Sequence, residues 1–387
     1  MSKLGRKVRL LAARTLLTAP LPGLSPAMIR TMRAVRGFVT DALAQSPAQT
    51  LAAIGSPDVL PSLLALESRA LPPSTCLQAV PHLLARLNDL GPEAPLLWEL
   101  PARTLSESDR GPLFAFEPPA RALLFARGQI EVEHADGRHS DLADHTEAPR
   151  SWALGPGIAL CTEDTNPLAD LEDHPDKQGN ARDLGGRPVQ EWLEALTAAL
   201  QIVALLPSWT RELRTAGARL VPVGFEAERH LSASYREAPG LVYLTLHPSP
   251  LTLAEAIVHE TQHGKLNLLT WLDPVLLNGR TTWTTSPVRP DLRPLMGVFL
   301  AAHAFVPVAA LHCAMESTGH PIAATPEFAR RRAEVLDGNT RALAILEDLA
   351  SPTRVGRRAL DDLRSLHAAT GDPHREGPSD PDALPPG

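Results

Sequence analysis

Residues 251–272 read LTLAEAIVHETQHGKLNLLTWL, and His259-Glu260-Thr261-Gln262-His263 at the centre decides how the rest is read. Leu253, Ala256, Ile257, Leu266, Leu269 and Leu272 recur at three- and four-residue intervals, a spacing that predicts a helix. No Pro or Gly interrupts the run from Leu253 to His263. Side chains four apart on a helix project from one face, so both imidazoles can reach a single metal ion. The five-residue pattern alone is common in unrelated proteins; a well-formed helix around it is what gives it weight. The plainer alternative is a pair of histidines satisfied within a core.

Two histidines do not hold a catalytic metal alone, because a third protein ligand is needed with positions left open for water or substrate. Leu266 and Leu269 stand where the extended metalloprotease pattern needs Gly and His. A peptidase taking a Glu from a following helix would have to use Glu316, since no Glu occurs between His263 and that residue. The remaining candidates are Asp273, Asp291, and His303 and His312 within residues 295–317, LMGVFLAAHAFVPVAALHCAMES, a second, largely apolar helix kinked at Pro307. His303 is the favoured third ligand, since an imidazole in mid-helix among apolar residues is costly unless something bonds it. His312, on roughly the same face, is the substitute.

Between the two helices, residues 284–294 read TTSPVRPDLRP. Arg289, Arg293 and Asp291 in this Pro-stiffened loop can present a bidentate clamp for a carboxylate, against the simpler reading of a solvated charged loop. Beside two metal-binding histidines, such a clamp suggests a small dicarboxylate on the metal. A peptidase has no use for that arrangement. An iron oxygenase does, because 2-oxoglutarate chelates the metal and its far carboxylate needs a cation.

The rest of the chain sets bounds. Its 387 residues can hold two average domains or one large one. Hydrophobic residues at 44% and charged residues at 21% suit a soluble globular protein. A net charge of −7 without a large basic region argues against nucleic acid as the main partner. Cys76, Cys161 and Cys313 are odd in number and far apart, which argues against a disulfide framework or a Cys-based zinc site and fits a reducing cytoplasm. No apolar run approaches the ~18 residues needed to cross a bilayer, so no membrane is expected. The start, MSKLGRKVRLLAARTLLTAPLPG, is broken by Arg14 and reads as an amphipathic helix rather than a signal peptide.

Along the chain, residues 2 to 105 read as helices separated by Pro, Ser and Gly, among them AMIRTMRAVRGFVTDALAQ and CLQAVPHLLARLNDLG. ALLFARGQIEVEHADGRHSDL alternates towards Asp136-Gly137, a hairpin signal, and GIALCTED reads as a further strand. Asn166 to Arg187 is acidic and reads as a long surface loop. A helix at PVQEWLEALTAALQIVALL and strands at ARLVPVGF and GLVYLTL precede the histidine helix; amphipathic helices at 326–350 and 353–369 follow. The expected fold class is α+β, helix-rich, with a small β element packed beside the HExxH helix. The expected divisions are a helical region at 1–110, a metal-binding catalytic domain at 111–370 and a disordered tail at 371–387.

Four segments, HLSAS (230–234), GLVYLTL (240–246), LAEAIVHETQHGKLNLL (253–269) and SPVRPDLRPLMGVFLAAHAF (286–305), together carry a resemblance. They resemble the HExxH-motif family of peptide-modification proteins, found beside or fused to radical-SAM maturases in clusters for ribosomally made, post-translationally modified peptides. Weaker similarity runs back through the helix around Trp192 and the strand before Gly224-Phe225. The resemblance implies an iron(II)- and 2-oxoglutarate-dependent oxygenase that hydroxylates the β-carbon of a residue in a precursor peptide. It implies His259 and His263 as iron ligands, a third ligand from the following helix, and a cosubstrate site including Arg289, Arg293, Ser232 and Ser234. The implied partners are the precursor peptide and a radical-SAM maturase; this chain has no Cys-x3-Cys-x2-Cys cluster of its own. Val288 and Leu292 replace the Trp and Pro usual in that family's arginine segment, which would reshape the substrate-facing wall. Residues 1–110 match no motif, so they are open to a role in peptide binding.

Three readings therefore stand. In the oxygenase, Glu260 orients a ligand histidine or a water from behind the metal. In the alternative, a zinc peptidase, Glu260 is the general base on zinc-bound water. In the third, the histidines are relics in a non-catalytic peptide-binding protein.

Overall fold

A computed structural model describes residues 3–91, 95–107, 113–126, 128–144, 150–155, 157–167, 182–216, 218–285 and 291–370. The chain starts with helices α1 (Lys3–Thr18), α2 (Pro26–Gln45), α3 (Pro47–Ile54), α4 (Leu60–Ser68), α5 (Pro73–Cys76) and α6 (Val80–Arg86). Strands β1 (Leu96–Trp98), β2 (Ala102–Ser106), β3 (Leu113–Ala120), β4 (Ala122–Ala126), β5 (Gln129–Glu133), β6 (His139–Asp141), β7 (Ser151–Gly155) and β8 (Ile158–Cys161) come next. Then follow α7 (Val189–Val203), α8 (Pro207–Ala216), β9 (Ala218–Phe225), β10 (Ser232–Ala233), β11 (Leu241–Leu246) and α9 (Pro250–Thr270). The last elements are β12 (Trp283–Thr285), β13 (Leu292–Pro294), α10 (Leu295–Ser317), α11 (Pro326–Leu349) and α12 (Arg354–Thr370). With 55% helix and 19% strand in several small sheets, the fold is α+β and helix-rich, as the sequence predicts.

Two compact units divide the chain. The first comprises Met1–Gly186, Arg214–Gly224 and Glu237–Thr245; the second comprises Arg187–Leu213, Phe225–Arg236 and Leu246–Gly387. The division expected near residue 110 falls between β2 and β3, which pair antiparallel within the first unit. The tail at 371–387, most of the loop expected at 166–187, and Arg289 lie outside the described residues.

The first unit starts as amphipathic helices. Ser25 caps α2 by accepting from Met28 N–H, Pro26 opens it, and Met28, Met32, Val35, Val39 and Ala42 form its buried stripe. Helical structure does not run to residue 105 as expected: β1 and β2 intervene. Leu96–Trp98 pairs with β4 and Ala102–Ser106 with β3. Those partners supply the ladder hydrogen bonds that short apolar segments cannot make alone. β1-β4-β5-β6 form one antiparallel sheet, and β11-β9-β8-β7 lie side by side in another, with β8 parallel to β9. The expected hairpin joins β5 to β6, with Gly137 at φ +81°.

Within this unit sits a buried polar cluster. Asp58 Oδ2 accepts from Arg86 Nη2 at 2.5 Å and from Arg219 Nη2 at 2.6 Å, and both arginines also donate to Ser106 Oγ. Arg219 further reaches Ser151 Oγ at 3.3 Å. His82 lies beside them, its Nδ1 accepting the Ser106 backbone N–H at 3.0 Å. Burial pushes the His82 ring down to about 4; Asp58 opposes this, and Arg86 and Arg219 reinforce it. A histidine held neutral in the fold but charged in the unfolded chain stabilises fully above the ordinary value near 6.5. That contribution is lost as pH falls from there to about 4. We expect His82→Gln, which keeps an acceptor for Ser106, to flatten the decline in unfolding free energy across this window. The difference should be on the order of 3 kcal/mol. Urea unfolding at pH 7 and pH 4.5 measures it, and identical pH slopes for the two proteins would refute it.

The second unit is built on α10, which is apolar all round. Val298, Phe299, Ala302 and Val306 pack with Leu266 of α9, Ala342, Leu343 and Leu346 of α11, and Leu360 and Leu363 of α12. Contrary to the expected absence of any such run, α10 is long and apolar enough to cross a membrane, but 67% of that stretch is buried inside its own fold. A helix surrounded by helices is hydrophobic on every face for the same reason a spanning one is. Helical structure continues through Pro307. After α9 the chain turns at Val275, whose φ of +64° is costly for a β-branched residue. Asp273 Oδ1 accepts both Val275 N–H and Thr353 Oγ1–H, and Thr353 N–H donates to Val275 O at 2.8 Å. Gly356 is required here, since a Cβ would come within 2.0 Å of the Val275 carbonyl oxygen.

Candidate metal centre

Ser249 caps α9, accepting from Thr252 N–H, and Pro250 occupies the first turn, so the helix starts nine residues before His259. Leu253, Ile257 and Leu266 are buried and fix its rotation. That rotation brings the two motif histidines together: their ring centroids are 4.3 Å apart with the planes perpendicular. The His259 ring also meets Phe305 of α10 at 4.5 Å.

Desolvation dominates the protonation of both rings. It lowers His259 well below the usual value, helped by His263, Arg331 and His230 and opposed by Glu255. It lowers His263 against the opposing charge of Glu260. His303 is pushed down to about 3 by burial, with Lys265 and His263 adding to the effect and a hydrogen bond to the Gln262 backbone opposing it. Each of the three keeps some exposed surface, yet enough protein surrounds the rings for desolvation to prevail. All are therefore neutral imidazoles, the form that ligates a metal.

The Nδ1 atoms of His259, His263 and His303 are buried without a hydrogen-bond partner. Leaving such an atom unsatisfied costs ~1–3 kcal/mol. His312 and His367 share this feature, so it does not single out a metal site by itself. What distinguishes the first three is that His303 sits within electrostatic reach of His263, which in turn touches His259. Neutral imidazoles are the donor chemistry of a metal that prefers nitrogen ligands. Among the described residues, however, no group of three or more His, Cys, Asp or Glu is gathered closely enough to hold an ion.

The other ligand candidates are engaged elsewhere. His312, the expected substitute, is fully buried with its Nε2 2.7 Å from Glu255 Oε1, and Arg331 donates from Nε to the other oxygen of Glu255 at 2.9 Å. Burial alone would raise Glu255, but His312 and Arg331 outweigh it and lower its pKa. Glu316 pairs with Arg332 at 2.8 Å, Asp273 holds the Val275 turn, and Asp291 is bonded to Arg293.

Glu260 is buried, and each of its carboxylate oxygens accepts a hydroxyl: Oε1 from Ser232 and Oε2 from Ser234, both at 2.7 Å. β10, which carries Ser232, thus lies beside the histidine helix. The serines expected at the cosubstrate instead direct their hydroxyl protons to Glu260. Arg293 lies on β13, Nε 3.2 Å from Asp291 Oδ2, with its stem over Gly297. The arginine expected at the cosubstrate is therefore already ion-paired. Arg331, Lys265 and His230, all within electrostatic reach of the motif or of His303, were missed by sequence reading. Lys265 and His230 were visible in the quoted segments; nothing local marks Arg331.

Compared with models of protein families and with curated proteins, the chain matches none.

Proposed function

We propose that the chain is an iron(II)- and 2-oxoglutarate-dependent oxygenase that hydroxylates the β-carbon of a residue in a ribosomally made precursor peptide. The observation that carries this reading over zinc proteolysis is the state of Glu260. A general base must offer a carboxylate oxygen to the attacking water. Glu260 is buried, and both its oxygens already accept hydroxyls from Ser232 and Ser234, so it is oriented towards its neighbours and not towards solvent. Held this way, Glu260 suits a positioning role, fixing α9 and the histidines on either side of it.

His259, His263 and His303 are the residues that would hold iron, which when bound supplies the activation of dioxygen. The reaction consumes 2-oxoglutarate and dioxygen; one oxygen atom enters the peptide as a hydroxyl and the other enters succinate, with release of carbon dioxide. The protein's part is to keep the three rings neutral by burial and to keep bulk water from them with Phe305 and the α10 wall. Arg293, which bonds Asp291 in this structure, or Arg289 is the cation for the far carboxylate. A radical-SAM maturase acting on the same peptide and a cytoplasmic setting belong to the same reading.

The test is succinate release from 2-oxoglutarate by iron-loaded protein in the presence of candidate peptides, with a peptide mass gain of one oxygen atom. Cleavage of those peptides without consumption of 2-oxoglutarate would replace this function by zinc proteolysis.

A further inference from the structure

The first unit opens on a basic face. Between Met1 and Pro57 the chain has eight Lys or Arg and one acidic residue, Asp41, although its net charge is −7. On α1 these charges are sorted by side. Val8, Ala12, Ala13, Thr15 and Leu16 are buried, and the helix lies against α2, α3 and α4. Lys3, Arg6, Lys7, Leu10 and Arg14 form the opposite, exposed stripe.

Arg14 carries this stripe to a cavity of about 700 Å³ at the C-terminal end of α1, within the ~300–1,000 Å³ of ligand pockets. Leu66, Leu71 and Pro20 give it apolar walls, and its charged lining is Arg14, Arg69 and a single carboxylate, Glu67. Both oxygens of Glu67 are already engaged: Oε1 accepts from Arg14 at 3.0 Å and Oε2 from the Thr15 hydroxyl at 2.5 Å. Arg69 has no ion-pair partner among the described residues, and neither have Lys3, Arg6 and Lys7. The cavity therefore holds one cation more than it holds carboxylates, and the stripe adds three.

We propose that the outer side of α1 and this cavity form a docking surface for an acidic peptide. Its carboxylates lie along Lys3, Arg6 and Lys7 and at Arg69, with an apolar residue against Leu66 and Leu71. The proposal rests on the peptide-modifying reading, since the natural occupant would be the precursor. From Lys3 to Arg14 the stripe covers roughly 16 Å, which an extended peptide spans in about five residues. An anionic bilayer matches less well. The apolar side of α1 is buried in its own unit, which leaves Leu10 as the exposed large apolar side chain of that helix.

The probes are tetramethylrhodamine-labelled Glu-Glu-Leu-Glu-Glu-Leu and its Gln-for-Glu counterpart, titrated with the full chain at low ionic strength and followed by fluorescence anisotropy. The acidic peptide is expected to bind about tenfold or more tightly than the neutral one, and to weaken as salt rises. Lys7→Glu with Arg69→Glu, both exposed and unpaired, should cost roughly tenfold in affinity. Arg280→Glu with Arg330→Glu makes the same change in net charge on exposed sites of the second unit and should cost less than about twofold. Equal binding of the two peptides, binding of neither, or equal losses in the two double variants overturns the surface. Displacement of the probe by phosphatidylserine vesicles or oligothymidylate at lower concentration than by unlabelled peptide also overturns it, in favour of a membrane or a nucleic acid. Peptide binding lost only in the first double variant, but without succinate release by iron-loaded protein, upholds the surface and overturns the oxygenase instead.

Discussion

Asp58→Ala should destabilise the first unit by about 3–5 kcal/mol, a large part of the stability of an ordinary domain. The carboxylate is fully buried and faces two guanidiniums whose side chains are only 6% and 2% exposed. Two charged donors turned towards a buried oxygen cost little while the oxygen is there. Without it, two like charges remain close together in a poorly solvated place. Both arginines drive the Asp58 carboxyl below its ordinary range, overcoming the burial that would raise it. The effect is expected in urea and thermal unfolding at pH 7, and Asp58→Asn, which keeps the shape but not the charge, should recover only part of the loss. An alanine variant within 1 kcal/mol of wild type would mean that the cluster contributes packing alone.

The second large effect concerns the metal. His259→Ala and His263→Ala should each abolish iron retention after anaerobic purification, and with it succinate release. The fold should persist, because α9 is held by Leu253, Ile257 and Leu266 and by Glu255 through His312 and Arg331, none of which is removed. His303→Ala should weaken iron binding without disturbing α10, whose core contacts come from Val298, Phe299, Ala302 and Val306. Metal content by elemental analysis and helix content by circular dichroism separate the two consequences. A histidine variant that kept stoichiometric iron and full turnover would remove the basis for the proposed function.

The histidine helix was legible because its information is local. Apolar spacing and the four-residue interval between the histidines are read within about two turns, the range over which a helix fixes its own geometry. The same holds for α10, α11 and α12, for the Asp136-Gly137 hairpin and for the α+β class. For the third ligand the sequence offered His303 with His312, Asp273, Asp291 and Glu316 as alternatives; His303 lies within electrostatic reach of His263, and the other four are engaged elsewhere.

Tertiary structure alone decided the rest, because those pairings join residues far apart in the chain. Ser232 and Ser234 meet Glu260 across 28 and 26 residues, Arg331 meets Glu255 across 76, and Arg219 meets Asp58 across 161. Strands β1 and β2 exist only because distant strands complete their ladders. A motif states which side chains share a helix face. Which carboxylate a serine reaches, and which arginine already has its counter-ion, depends on how separate elements pack, and neither spacing nor composition encodes that.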